Sequence, residues 1–207
     1  MYNMDLGVKD IYEEIAFEFD ETRQSVWRCV KEFMGELEPG MCGLEIGCGN
    51  GKNMLYRKDL LMEGVDFCDN FVKICRKKNL KVKQNDMREL EYKNDVFDFS
   101  LSIAVLHHLY NKDDRLKALR ENIRILKKNG IGLILVWAKR QDKDSRVTFT
   151  KSDEMVPWQR KTGEYVYRYY HIYDKDELES EISNFKNINI IHSFYEKGNY
   201  GIIFKKI

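Results

Sequence analysis

At 207 residues, 43% hydrophobic and 33% charged, the chain has the size and composition of one soluble domain, and two full domains would be crowded. No run approaches the roughly 20 apolar residues of a membrane span, and the acidic N-terminal stretch lacks the layout of a signal peptide, so an intracellular protein with no membrane partner is expected. The net charge of +1 excludes little, because it hides opposite local balances: four basic against ten acidic side chains in residues 1–40, eight against three in residues 71–93. The five cysteines (Cys29, Cys42, Cys48, Cys68, Cys75) include no C-x-x-C pair, which favours free thiols over a disulfide framework or a zinc site.

Val8, Ile11, Tyr12, Ile15 and Phe19 recur at helical spacing, as do Val26, Val30, Phe33 and Leu37. Two amphipathic helices are predicted within residues 1–40, joined through Asp20-Glu21-Thr22-Arg23 and stopped by Pro39-Gly40. Such a helical cap either seals the core or carries a lid over a ligand, and spacing does not choose between these roles.

The next stretch, Gly43-Leu44-Glu45-Ile46-Gly47-Cys48-Gly49-Asn50-Gly51-Lys52, ends an apolar run in an acid and three alternate glycines. That is how a buried strand turns sharply beneath a ligand, since a Cβ would block close approach and disfavour positive φ. A phosphate-binding P-loop is excluded, because Ile46 stands where its first Gly should be and Asn53 replaces the Ser/Thr. A dinucleotide fingerprint is weakened by Lys52 in place of a small residue. The spacing of Glu45, Gly47, Gly49 and Gly51 instead fits a site for S-adenosylmethionine, which carries no phosphate.

A helix is expected from this loop to about Lys58, then a strand ending Gly64-Val65-Asp66. Asp66 lies where an acid accepts hydrogen bonds from both ribose hydroxyls, and Asp69 reads as the cap of a helix from Phe71 to Asn79, leaving Asp66 for the ligand. Lys81-Val82-Lys83-Gln84 is a short strand. Asp86 and Met87 follow where adenine would lie, the first able to pair with its edge and the second to pack on its face. Asp95 to Ser102 is a buried strand that runs into Ile103-Ala104-Val105-Leu106-His107-His108-Leu109, with Ile103 at the cofactor. A helix from about Lys112 to Lys128 is capped by Asn129-Gly130, and Ile131 to Ala138 reads as a central parallel strand.

Residues 139–173 break the pattern with mixed basic and aromatic side chains. Asp174 with Glu177 forms a capping box, and Ile188 to Tyr195 with Tyr200 to Lys206 reads as a β-hairpin. The sum is a single α/β domain over residues 1–207 of the class I methyltransferase (Rossmann-like) architecture. Its seven-stranded sheet has the order 3-2-1-4-5-7-6 with strand 7 antiparallel, residues 1–40 form a cap, and residues 139–173 form a substrate-binding insertion over the strand C-termini.

Several pieces together resemble a narrower family: Ile11-Tyr12-Glu13-Glu14-Ile15-Ala16, Thr22-Arg23 with Trp27, the glycine loop, Ser102 to His108, Val156-Pro157-Trp158, and Tyr167-Arg168-Tyr169-Tyr170-His171-Ile172-Tyr173. They resemble the eukaryotic tRNA wobble-uridine carboxymethyl methyltransferases, which esterify 5-carboxymethyluridine in the anticodon loop. The link from Trp158 to Tyr165 is shorter than the polar insertion often found in relatives. The resemblance implies a cytoplasmic tRNA enzyme, with a nuclear pool allowed, working with a small zinc-binding activator subunit. The strand Lys81, Val82, Lys83, Gln84 would be an exposed edge for that partner, with Phe71 and Ile74 adding apolar area.

The chemistry so implied needs no metal and no general base, since a carboxylate with a reference pKa of about 4 is already ionised at neutral pH. It needs donors to hold that carboxylate. The candidates are Arg23, His107, His108, Arg168 and His171, with the two arginines first by charge. Trp137, Trp158 and Tyr170 are candidate platforms for an unstacked base, and the basic residues between 139 and 168 would meet phosphates. Other acceptors, such as rRNA guanine or a small carboxylic acid, and a non-catalytic binding module remain alternatives.

Overall fold

The computed structural model describes residues 4–145 and 147–207. Its core follows from strand alternation, which sorts apolar side chains onto the two faces of one sheet. Along β5 (Leu126–Trp137), Leu133 and Leu135 pack with Phe99 and Leu101 of β4 (Phe97–Ile103) against Val30, Phe33 and Met34 of α2 (Arg28–Gly35). Ile134 and Val136, one residue out of phase, pack with Leu44 and Ile46 of β1 (Cys42–Ile46) against Leu119 and Ile123 of α4 (Lys112–Arg124) and Leu178 and Ile182 of α5 (Glu177–Ile182). With β2 (Leu61–Asp66), β3 (Lys81–Gln84), β8 (Ile188–Glu196) and β9 (Asn199–Lys206), the sheet runs β3-β2-β1-β4-β5-β9-β8. The first five strands are parallel, and β9 is antiparallel to both of its neighbours. This is the expected seven-strand order.

A second sheet holds β6 (Asp153–Gln159) and β7 (Tyr165–His171), an antiparallel hairpin within the aromatic-basic stretch. The N-terminal helices divide the two roles that spacing left open. Whereas α2 seals one face of the sheet, α1 (Met4–Thr22) packs on α3 (Asp69–Lys77) and β7. Phe71 and Ile74 of α3 are buried there with Ala16, against Tyr12 and Phe19. They are therefore covered by α1 and add no apolar area for a partner, which corrects the expectation from sequence.

Three local expectations also change. The helix after the glycine loop is a single turn, closed by the Leu55 N–H on the Gly51 carbonyl at 3.3 Å. Asn53 turns inward to Glu45 at 2.6 Å, and Arg57 folds back to donate to the Met34 and Leu37 carbonyls, so the chain is recaptured before a second turn. The N-terminus of α3 is capped by Glu13 of α1, whose carboxylate accepts the Asp69 and Asn70 amides at 2.6 and 2.9 Å, while Asp69 pairs with Lys73. Helix α4 stops at Arg124 because Leu126 already pairs with Phe97. Asn129, at φ 68°, and Gly130 then lie in an irregularity of β5 and not at a helix cap.

One buried ion pair fixes the end of the sheet nearest the hairpin. Arg115 of α4, 3% exposed, pairs with Glu181 of α5 at 2.9 Å and donates to the Leu109 and Tyr110 carbonyls, just after the 3-10 turn Leu106–His108. Glu181 also accepts the Tyr173 hydroxyl at 3.1 Å. Removing one partner of such a pair strands a buried charge. Glu181→Ala should therefore cost roughly 3 kcal/mol or more in urea unfolding, and a loss under about 1 kcal/mol would show that this pair does not anchor the turn.

Candidate active site

The glycine loop forms the floor of a cavity of about 260 Å³ at the C-terminal ends of β1, β2 and β4. Its three glycines have different reasons to be glycine. Gly47 and Gly51 take φ of 67° and 74°, and a Cβ on them would strike Val105 and Leu80 at 2.3 Å, so both are fixed by packing as well as by dihedral. Gly49, at φ 52°, would present a Cβ to open space, and it lines the cavity as Gly47 does. Gly51 is not part of the cavity wall; it shapes the turn from behind. Glu45, Asp66, Asp86, Met87 and Ile103 all line the cavity.

Three acids set its electrostatics. Asp66 accepts the Gly49 amide at 2.8 Å and the Cys68 amide at 2.9 Å, so it is not held free of the protein as sequence suggested. A carboxylate has about four acceptor positions, and two remain for a ligand. Burial pushes its pKa up to about 6. Burial acts more strongly on Glu45, raising it to about 8 against the opposing Asn53 hydrogen bond. Its Oε2 and the Asn53 Oδ1 are buried acceptors with no protein partner. Asp86 is gripped by Arg88, which also reaches Asp114 at 3.2 Å. Its carboxylate is thus committed within the protein, so the side-chain pairing with an adenine edge expected from sequence would compete with Arg88.

This donor set fits S-adenosylmethionine. The two orphaned acceptors suit the ammonium of an amino-acid end, the open face of Gly49 lets a chain pass close, and Asp66 suits ribose hydroxyls.

The opposite wall holds Arg23, His108, Trp137, Arg168 and Tyr170. Arg168 is 5% exposed, its Nε is buried without a partner, and among the described residues no carboxylate pairs with it. Its Nη1 donates to the Tyr12 hydroxyl at 3.1 Å. Arg23 is exposed and stands over the Phe19 ring at 5.6 Å. Trp137 tilts against Tyr170 with centroids 4.6 Å apart.

The structure does not bring all the sequence candidates together here. His107 lies one layer behind the wall, stacked on Tyr170, with Nδ1 accepting the Trp137 amide at 3.2 Å, and burial holds its pKa well below the usual value. His171 sits at the foot of the hairpin between Asp153 at 3.2 Å and Glu177 at 2.8 Å, outside the cavity wall. Trp158, half-buried on β6, is also outside it. Tyr12, Asn53 and Ala104 line the cavity without having been singled out as site residues. Ala104 carries a strained φ of 57° at the end of β4, which its residue type does not signal.

Helix α1 is latched over this cavity. Arg160, in the β6–β7 turn, binds Glu18 at 2.9 Å and also Glu14, and Lys161 pairs with Glu21. The Lys161 amide, followed by Arg160, holds the Glu18 carboxyl below its usual range. Two of the basic residues read as phosphate contacts are thus neutralised within the protein, Arg168 is buried, and Arg146 lies outside the described residues. Between Glu18 and Glu21, Asp20 accepts from Asn50 at 3.0 Å and from Lys78 at 2.6 Å, which ties the same C-terminal part of the helix to the glycine loop.

Residues 44–134 match a family model described as a methyltransferase domain. A tRNA (carboxymethyluridine(34)-5-O)-methyltransferase of Schizosaccharomyces pombe is 34% identical over 96% of this chain and 96% of its own. One from Xenopus tropicalis, named alkbh8, is 29% identical over 97% of this chain, which spans only 41% of that longer relative. Among solved structures, a methyltransferase in complex with the Trm112 methyltransferase activator from Haloferax volcanii superposes with a TM-score of 0.69, covering 96% of this chain and 97% of its own at 14% identity. At that identity the likeness shows the fold alone.

The buried acids make a prediction for the free protein. Glu45 is expected to keep its proton in the folded chain up to about pH 8, whereas the unfolded chain loses it near 4.5. Between those values the folded state binds more protons, so this group makes stability fall as pH rises across the window. Asp66 acts with the same sign between 3.8 and about 6. Urea midpoints at pH 5 and pH 8 should differ less in Glu45→Gln than in the wild type, and an unchanged difference would refute the burial account.

Proposed function

Because the chain belongs to the tRNA (carboxymethyluridine(34)-5-O)-methyltransferase family, we propose that it methylates the carboxylate of 5-carboxymethyluridine at the wobble position of a tRNA anticodon, forming the methyl ester. The cofactor is S-adenosylmethionine. When bound, it supplies an electrophilic methyl group on a sulfonium centre. The observation that carries the reading is Arg168, a buried guanidinium at the cavity wall with no carboxylate partner among the described residues. Such a cation suits an anionic acceptor better than a guanine ring.

The protein's part is then alignment and exclusion of water. Arg168 holds one side of the acceptor carboxylate, with Arg23 at the cavity rim as a second cation. The other oxygen must keep a lone pair toward the methyl, since pairing both tightly would blunt the nucleophile. Trp137 and Tyr170 offer ring faces for the unstacked base. No residue has to take a proton, which agrees with His107 being held well below its usual pKa and His108 at about 3 by burial. The hairpin of residues 139–173 is read as the substrate-binding insertion, and its exposed lysines supply phosphate contacts on tRNA.

A small activator subunit completes the proposal. The edge proposed for it is β3, one of the two end strands of the sheet, with Lys81 paired to Glu63 and Lys83 over the Tyr92 ring at 3.9 Å. A second chain can add a strand there, and the Haloferax volcanii protein in its activator complex shares this fold. Action on tRNA is consistent with a cytoplasmic protein, with a nuclear pool allowed, and no helix among the described residues is long and apolar enough to cross a membrane.

Labelled cofactor, co-expressed activator and tRNA with or without 5-carboxymethyluridine test this directly. Transfer should require the carboxymethyl group, and Arg168→Ala should lower kcat/KM by about a hundredfold, the scale of a lost charged hydrogen bond. Equal transfer to both tRNAs would remove the assignment. In the wild type, kcat should stay nearly flat with pH above the acceptor's own titration near 4. A steep rise near pH 7 would instead implicate a histidine base.

A further inference from the structure

Tyr12 projects from α1 into the cavity wall, and its hydroxyl meets three polar groups from distant parts of the chain. His108 Nε2 lies at 3.0 Å, Arg168 Nη1 at 3.1 Å and the Tyr170 hydroxyl at 3.3 Å. Every hydrogen in this cluster can be assigned by elimination. His108 Nδ1 is 2.9 Å from the Tyr169 carbonyl, which can only accept, so Nδ1 carries the proton. The ring is neutral at physiological pH, because burial pushes its pKa down to about 3. Nε2 is therefore a bare acceptor, and the Tyr12 hydroxyl must donate to it. With its one hydrogen spent, the Tyr12 oxygen accepts from Arg168 and from Tyr170, filling both lone pairs.

We propose that Tyr12 is a positioning residue for the methyl-transfer site: its hydroxyl, oriented by His108, fixes the Arg168 guanidinium in the direction that receives the acceptor carboxylate. The inference rests on the carboxylate reading above and deepens it. Tyr12 accepts a hydrogen bond from Arg168, and the Arg168 guanidinium lies 5.7 Å from the Tyr12 ring centre and 5.2 Å from that of Tyr170. A carboxylate partner would hold the arginine more firmly but would also neutralise it. A phenol holds it and leaves its charge for the substrate. His108 in turn has no free lone pair on the ring, which makes it the orienter of Tyr12 and not a base.

The cluster also gives α1 a place in the chemistry. Tyr12 is brought to the wall by a helix whose C-terminal half is tied elsewhere, to the hairpin through Glu14, Glu18 and Glu21 and to the glycine loop through Asp20. Its ring packs edge-on against Phe19 with centroids 5.8 Å apart and tilted against Phe71 at 5.9 Å. Tyr12→Phe keeps that packing and removes only the hydroxyl.

The test uses the full chain with co-expressed activator and carboxymethylated tRNA. In Tyr12→Phe, calorimetry should give a cofactor Kd within about twofold of wild type, and kcat/KM should fall about tenfold, the lower end of the range for one hydrogen bond to a charged group. Imidazole nitrogen NMR on a chain with four histidines gives a readout that a purely structural role would not move. The His108 Nε2 resonance should shift toward that of a bare nitrogen, with Nδ1 unchanged. The variant should also lose part of its preference for the free 5-carboxymethyluridine nucleoside over its neutral methyl ester as a competitor. Wild-type kcat/KM in Tyr12→Phe beside a crippled Arg168→Ala would overturn the positioning role and leave the carboxylate reading intact. A matched loss of cofactor affinity would overturn it too, by making the tyrosine structural. Full activity in Arg168→Ala would instead bring down the carboxylate reading itself.

Discussion

The hydrogen bond from the Gly49 amide to Asp66 is the constraint around which the site is built. It draws the glycine loop of β1 against the end of β2, where Val65 also accepts the Gly47 and Cys48 amides. The loop must take three positive φ values to reach that position, and nothing but glycine does so without strain at sites where Val105 and Leu80 press from behind. The arrangement places two buried carboxyls, Glu45 and Asp66, beside one cavity, each pushed toward its protonated form by burial. In the free protein both carboxyls are thus costly to ionise, a cost that a cationic ligand with hydroxyl donors would lower. Binding and stability are coupled through the same groups.

Above that floor, charge is used differently. The acidic excess of the first 40 residues is not a solvated face alone: Glu13 caps α3, Glu14, Glu18 and Glu21 hold the hairpin turn, and Asp20 holds the glycine loop. From Glu13 onward, helix α1 is pinned by acids that each meet a donor from another element. The partners of this latch come from the aromatic-basic stretch, through Arg160 and Lys161. Exposed ion pairs are individually weak and screened by salt, so the latch depends on several of them acting together.

The wall opposite the glycine loop departs from both patterns. It has one buried arginine with no counter-ion among the described residues, two histidines kept neutral by burial, and a ring cluster in which His107, Trp137 and Tyr170 pack within 6.0 Å of one another. Such a wall is poor at moving protons and well suited to orienting an anion beside an aromatic base. Transfer to a carboxylate is a reaction of that kind. The fold alone would not select it, because function resides in the site and this architecture hosts many acceptors.

Sequence by itself determined the sheet, because its strands are apolar runs separated by turn signals, and the parallel order with a closing antiparallel hairpin follows from that pattern. It also determined the glycine loop and the acids at the ends of the first two strands, since the loop's φ requirements and its spacing leave few residue choices. What it could not show were the long-range hydrogen bonds. Glu13 capping α3 across 56 residues, Arg168 meeting Tyr12 across 156, and Arg160 meeting Glu14 across 146 have no local signature. For the same reason Phe71 and Ile74 read as a free surface until α1 was seen to cover them, and His171 read as catalytic until Asp153 and Glu177 were found on either side of it. Periodicity and turn chemistry act over a few residues, whereas the direction of a buried polar side chain is set by whichever distant donor or acceptor folding brings within about 3 Å. The kind of cofactor was therefore written in the chain, and the groups that face the substrate were decided by tertiary structure.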